Sequence, residues 1–186
     1  MLAPLRFSIV LLLLCGGLYP LVVTLIGGAL FPYQAQGSIL RRDDGTAIGS
    51  ALIAQAFDKD EYFHPRPSAA GGDGYDATSS GGSNLGATNQ KLIDRVKGDA
   101  EALKTENPAL AALPADLLTT SGSGLDPDIS PAAAMAQVPR VATARKLPPQ
   151  KVADLVASQV TGRDLGIFGD PRVNVLRLNM ALDALR

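Results

Sequence analysis

From Phe7 to Phe31 the chain runs for 25 residues without a charged side chain, mostly Leu, Val, Ile and Gly. At about 1.5 Å per residue, a helix of that length crosses the roughly 30 Å hydrocarbon core of a bilayer with some tilt. Nothing comparable recurs in the remaining sequence. The expected organisation is a transmembrane anchor with a short leading tail over residues 1–34, followed by one soluble domain over 35–186. Two rival readings fit less well. A cleaved signal peptide has an apolar stretch of about 7–15 residues ending at small residues, whereas Ala35 and Gly37 lie beyond a longer run. A lipoprotein site would need a small residue before Cys15, where Leu14 stands. Pro20 in mid-run implies a kink, tolerated where a neighbouring helix covers the freed carbonyl. Arg6 precedes the run, and Arg41 and Arg42 follow at a distance. With so short a tail, the N-terminus reads as cytoplasmic and the domain as periplasmic or otherwise extracytoplasmic.

Charge and composition remove whole function classes. The 17 Lys and Arg against 18 Asp and Glu give −1, or −2 without Arg6, which argues against nucleic acid and against a polybasic lipid clamp. Cys15, the one cysteine, lies inside the apolar run, so the domain has no disulfide or thiolate chemistry. His64 is the only histidine, so a zinc site of His and Cys is excluded, and no carboxylate loop matches a calcium or magnesium pattern.

The domain reads as α+β. Ser38–Arg41 and Ala47–Ile53 flank Asp43-Asp44-Gly45-Thr46, a hairpin signal. Residues 64–88, rich in Gly, Ser, Pro and Asn, read as a long loop, either ordered or disordered. Leu92, Ile93, Val96, Ala100 and Leu103 recur at helical spacing until Asn107-Pro108. Residues 116–130 are loop again. Ser130 then caps an alanine-rich helix with Pro131 at its first position, and Pro139 interrupts or kinks it. Another helix opens at Pro149 and runs to about Gln159. Val173–Leu178 is a candidate strand, with a short helix after Asn179.

Four polar loops carry the unusual material: Tyr62-Phe63-His64-Pro65-Arg66-Pro67-Ser68-Ala69, Ser80-Gly81-Gly82-Ser83-Asn84-Leu85-Gly86, Ser121-Gly122-Ser123-Gly124-Leu125-Asp126-Pro127, and Thr161–Gly166 leading to Pro171–Asn174. Singly, each is an ordinary set of turns. In this order, behind a single anchor, they resemble the C subunits of the Kdp potassium-transporting P-type ATPases over nearly the whole chain. That resemblance implies a bacterial inner-membrane complex that takes up K⁺ at the cost of ATP. In it a channel-like subunit selects the ion, a P-type subunit carries the phosphorylated aspartate, and a small single-helix subunit accompanies them. The C subunit is then a non-catalytic accessory, described as a catalytic chaperone raising the ATP affinity of the P-type subunit. Departures from the family pattern fall at Ala87, Asp128, Pro139, Gln159 and Asp170.

The residues agree with an accessory role. The chain has neither an Asp-Lys-Thr-Gly phosphorylation motif nor a Gly-x-x-x-x-Gly-Lys-Ser/Thr loop. One helix cannot enclose a ring of ion-selecting carbonyls. Ser80-Gly81-Gly82-Ser83 resembles part of the signature loop of ABC ATPases, and Ser80, Gly81, Gly82, Ser83 and Asn84 are the candidate nucleotide contacts, with ATP reached through a ternary complex with the ATPase subunit. The alternative is a turn and capping device packed against Arg66 or Asn84. Gly16, Gly17, Gly27 and Gly28 offer small surfaces for docking on a larger membrane protein, and Arg66 is a further subunit-contact candidate. For Arg66, Arg163 and Arg172, pairing with Asp73, Asp126 or Asp170 is the simpler expectation, and Asn174 and Asn179 are expected to satisfy local backbone groups. Two other functional classes compete. A serine hydrolase would use Ser80 or Ser121 with His64 as base, and a free-standing anchored binding domain would have no obligate membrane partner.

Overall fold

Leucine-rich sequence with no charge after Arg6 gives one unbroken helical rod, Leu2–Leu30, long and apolar enough to cross a membrane and with none of its most apolar window buried within the chain. The computed structural model describes residues 2–108 and 110–185. Within the rod, α1 (Leu2–Leu13) and α2 (Tyr19–Leu30) are joined by a π-helical turn, Leu14–Leu18, in which the Tyr19 N–H donates to Leu14 O. In a regular helix the Pro20 ring would press on the Gly16 carbonyl, four residues back. The wider turn lies at that place, so the expected kink takes the form of a π turn inside a continuous helix.

The chain divides between Ser50 and Ala51 into two compact units. In the first, the rod is followed by a single turn, α3 (Pro32–Ala35), and an antiparallel hairpin of β1 (Ile39–Arg41) and β2 (Ala47–Ser50) with Ile39 opposite Ser50. The Asp44 carboxylate accepts from Thr46 N at 2.8 Å and Gly45 has φ +85°, which is the turn chemistry expected of Asp-Asp-Gly-Thr. The second strand stops at Ser50 rather than Ile53. Its closing residue is held by Ser50 Oγ donating to Gly37 O at 2.7 Å.

The second unit is built, among the described residues, on four α-helices and a small sheet. Ser130 accepts from Ala133 N at 3.0 Å to start α5 (Pro131–Arg145), as its Ser-Pro signal predicts. Pro139 does not end this helix. It shares the exposed face with Met135, whose carbonyl loses its usual donor on the solvent side. Helix α6 spans Pro149–Ser158, as expected. Strands β3 (Asp128–Ile129), β5 (Arg172–Asn174) and β4 (Val160–Thr161) lie in that order, all antiparallel. The predicted strand over Val173–Leu178 ends instead at Asn174. Asn174 Oδ1 accepts from Arg177 N at 3.1 Å and caps α7 (Val175–Ala184). Val175, Leu178 and Leu182 then fall on one helical face of the core, with Phe63, Ile129, Val141, Val152, Val156 and Val173. Burying each such side chain contributes about 1.5–3 kcal/mol. Helix α4 (Gln90–Glu106) begins two residues after Thr88, with the Asn89 side chain accepting from Lys91 N. The segment from Ala51 to Asn89 has no helix or strand, yet its backbone is tied to the helices by named side chains.

Candidate functional site

The tie begins where the chain passes over the core. Phe63 is fully buried, and the Asn179 amide on α7 pairs with both of its backbone groups, at 2.9 Å each way. The next residue repeats the device. His64 N donates to Gln137 Oε1 at 2.7 Å, and Gln137 Nε2 donates back to His64 O at 3.1 Å. Arg140 on α5 donates to the carbonyls of Asp60 and Tyr62 and pairs with Glu106 at 3.0 Å. Arg145 donates to Glu61 O, pairs with Asp183 and lies 4.8 Å over the Tyr62 ring. Residues 60–64 thus form a strap held by four side chains, none of them adjacent to it in sequence.

Beyond the strap, three of the four polar loops converge. Arg66 pairs with Asp126 at 3.0 Å and reaches the carbonyls of Thr119 and Thr120. Ser68 Oγ donates to Gly124 O at 2.6 Å and accepts from Ala70 N and Tyr75 N. Tyr75 O–H donates to Arg66 O at 2.8 Å, and burial pushes this phenol up to about 12. Gly81 N and Ser80 Oγ both donate to Ser123 O, at 2.8 and 3.0 Å. Gly124 sits at φ +67° where a Cβ would meet Gly81 O at 2.4 Å and Ala70 N at 2.9 Å. The backbones approach that closely only because the residue is glycine. The Ser80 loop therefore packs on residues 121–124, not on Arg66 or Asn84. Asn84, with φ +51°, is exposed.

Two clefts flank this junction. The larger, about 470 Å³, is lined by Arg66, Asp116, Thr119, Asp126, Asp128 and Arg172. Its carboxylates are engaged: Asp116 accepts from Ser130 N and Oγ, Asp126 holds Arg66, and Asp128 accepts from Asn174 Nδ2 and faces Arg172 at 3.5 Å. Burial raises the Asp128 carboxyl above its ordinary range, with Asn174 and Arg172 opposing. The smaller, about 230 Å³, is lined by His64, Pro67, Tyr75, Asp99, Glu106 and Gln137. There burial raises Asp99, with Arg95 opposing, while burial and Arg140 lower His64.

The paired carboxylates leave little for acid–base work, and the hydrolase reading loses its geometry. The His64 ring contacts Lys59 O at 3.2 Å, Ser80 Oγ donates to Ser123 O, and Ser121 Oγ shares a hydrogen bond with Ser123 Oγ. No hydrogen bond among the described residues joins His64 to either serine. Among the described residues no group of three or more His, Cys, Asp or Glu is placed to hold a metal ion. Arg66–Asp126 and Arg163–Asp170 pair as expected, while Arg172 takes Asp164 and Asp128. In the anchor, a Cβ at Gly17, Gly27 or Gly28 would meet nothing within 4 Å, and at Gly16 only Leu12 Cδ1 at 3.5 Å. Sequence reasoning missed Tyr75, Asp116 and Gln137. Their partners lie 9, 14 and 73 residues away, and no local pattern marks them.

Comparison with known proteins matches residues 1–184 to a family described as KdpC, the K⁺-transporting ATPase c chain. Similar proteins include three named potassium-transporting ATPase KdpC subunit. That of Methylobacterium nodulans is 54% identical over 96% of this chain and 93% of its own length. That of Bradyrhizobium diazoefficiens is 56% identical over 98% of both, and that of Caulobacter vibrioides 60% identical over 92% and 86%.

Proposed function

The chain belongs to the KdpC family of K⁺-transporting ATPase c chains, and we propose that it is the anchored, non-catalytic accessory subunit of a bacterial potassium-uptake complex. The observation that carries this is the extent of the family match, which takes in the apolar rod and the strapped domain together. The partners would be the channel-like and P-type subunits and a small single-helix subunit, in the inner membrane, with the N-terminus cytoplasmic. The open faces at Gly17, Gly27 and Gly28 leave room for close helix packing against such partners.

In this role the subunit stabilises the assembly and raises the ATP affinity of the P-type subunit. Direct contact through Ser80–Asn84 would require the domain to face cytoplasmic ATP, against the charge reading. Moreover, Gly81 N and Ser80 Oγ are already donating to Ser123. A bias on the conformational equilibrium of the ATPase achieves the same effect without contact, because linkage needs only differential binding to two states.

A gentle detergent pull-down of the tagged chain from potassium-starved cells tests the reading. Recovery of a multi-spanning channel-like protein and a P-type ATPase with K⁺-stimulated hydrolysis supports it. Recovery of the folded chain alone transfers the assignment to a free-standing anchored binding domain.

A further inference from the structure

The β4–β5 hairpin carries a feature for which the fold has no use. At its tip Leu165, Ile167 and Phe168 are 88, 71 and 63% exposed, the three most exposed large apolar side chains outside the N-terminal rod among the described residues. The tip has a defined conformation. Asp164 and Phe168 exchange both backbone hydrogen bonds at 2.9 Å, and Gly166 N and Ile167 N close the turn onto Arg163 O and Asp164 O. Leu165 has φ +54°, a left-handed conformation that leucine rarely adopts, and here it turns the side chain fully into solvent. Below the tip the charges cancel: Arg163 pairs with Asp170 at 2.9 Å, and Arg172 with Asp164 at 3.2 Å.

We propose that the Leu165-Gly166-Ile167-Phe168 tip inserts into the headgroup–acyl boundary of the same bilayer that the Leu2–Leu30 rod crosses, as a second, reversible membrane contact. Area decides against a protein partner. Three side chains offer at most a few hundred Å², well short of the roughly 800 Å² per partner of a stable interface. The same area is sufficient for an interfacial contact when the chain is already tethered, because tethering makes insertion intramolecular. Leu, Ile and Phe are side chains that favour this depth. Cancelled flanking charge makes the contact indifferent to anionic lipid and to salt.

The test uses the full-length chain in phosphatidylcholine nanodiscs carrying nitroxide-labelled lipid, with one fluorescent thiol label per sample. Native Cys15 reports the rod. Ile167→Cys and, as a control on α4, Lys97→Cys report the domain in a Cys15→Ser background. The expected result is lipid quenching several-fold stronger at position 167 than at 97, unchanged at high salt, and abolished by adding Leu165→Ser and Phe168→Ser. Quenching at 167 from water alone, or shielding from both phases, overturns the proposal, the latter in favour of a protein partner. Quenching at Cys15 without quenching at 167 leaves the anchor standing and removes only the tip contact; loss of both removes the membrane reading itself.

Discussion

Asn179 and Phe63, 116 residues apart, form a reciprocal backbone clamp: the amide oxygen accepts from Phe63 N and the amide nitrogen donates to Phe63 O, both at 2.9 Å. Both residues are buried, so neither backbone group has water to fall back on. Asn179→Leu keeps the branched shape at a somewhat larger volume and removes both bonds, which should cost about 2–5 kcal/mol. Urea unfolding of the detergent-solubilised chain measures it. A loss below about 1 kcal/mol would show that the strap is held by Arg140 and Gln137 instead.

How much of this was legible follows from the range of each interaction. Ser130-Pro131 announces α5 because capping is local, and the periodic apolar residues from Leu92 to Leu103 announce α4. The apolar run Val173–Leu178 reads equally as strand or helix, and the choice falls to Asn174, whose side chain caps a helix three residues on. Asn179 was expected to satisfy local backbone; its partner is across the domain. Residues 64–88 read as loop, ordered or disordered, because the side chains that hold the strap before them sit on α5 and α7 and leave no mark on the segment's own sequence. The candidate site was legible as three polar blocks and one Arg66–Asp126 pair, while their convergence depends on close backbone approach at Gly124, which composition cannot show.

At that approach, the glycines are predicted to differ sharply. Gly124→Ala places a methyl 2.4 Å from Gly81 O in a left-handed backbone, so the Ser80 and Ser121 loops must separate. Gly81→Ala meets nothing within 4 Å. The first should cost about 2–4 kcal/mol and weaken recovery of partner subunits, and the second less than about 1. Equal effects in unfolding and pull-down assays would remove the junction as the reason for glycine.

His64 sets a pH dependence that a single residue can report. Burial and then the Arg140 cation hold its folded value below 6.5, with Lys59 O opposing. The unfolded chain therefore binds the proton more readily, and stability is complete above 6.5 and falls as pH drops from there toward the folded value. His64→Gln should flatten the curve in that window while leaving hydrolysis by the recovered complex intact. Denaturation midpoints across pH 5–8, with the ring followed by NMR, check both. A dependence as steep in the variant as in the native chain would remove His64 as its source; Asp99 and Asp128 do not supply it, because their raised values give the opposite sign, stability falling as pH rises above 3.8.

Two left-handed residues separate fold from function. Lys146 (φ +55°) ends α5, its N–H donating to Ala142 and Thr143 carbonyls, with an exposed side chain. Leu165 (φ +54°) sits at the hairpin tip. A glycine relieves the strain at either place, offset in part by the freer unfolded chain, so Lys146→Gly and Leu165→Gly should each stabilise by about 0.5–1 kcal/mol. Only the second should reduce lipid quenching at position 167. A site where the native residue costs stability and its replacement costs membrane contact is retained for the contact. If Leu165→Gly instead destabilises the chain, the leucine is packing against something within the domain, and the case for a lipid-facing tip fails with it.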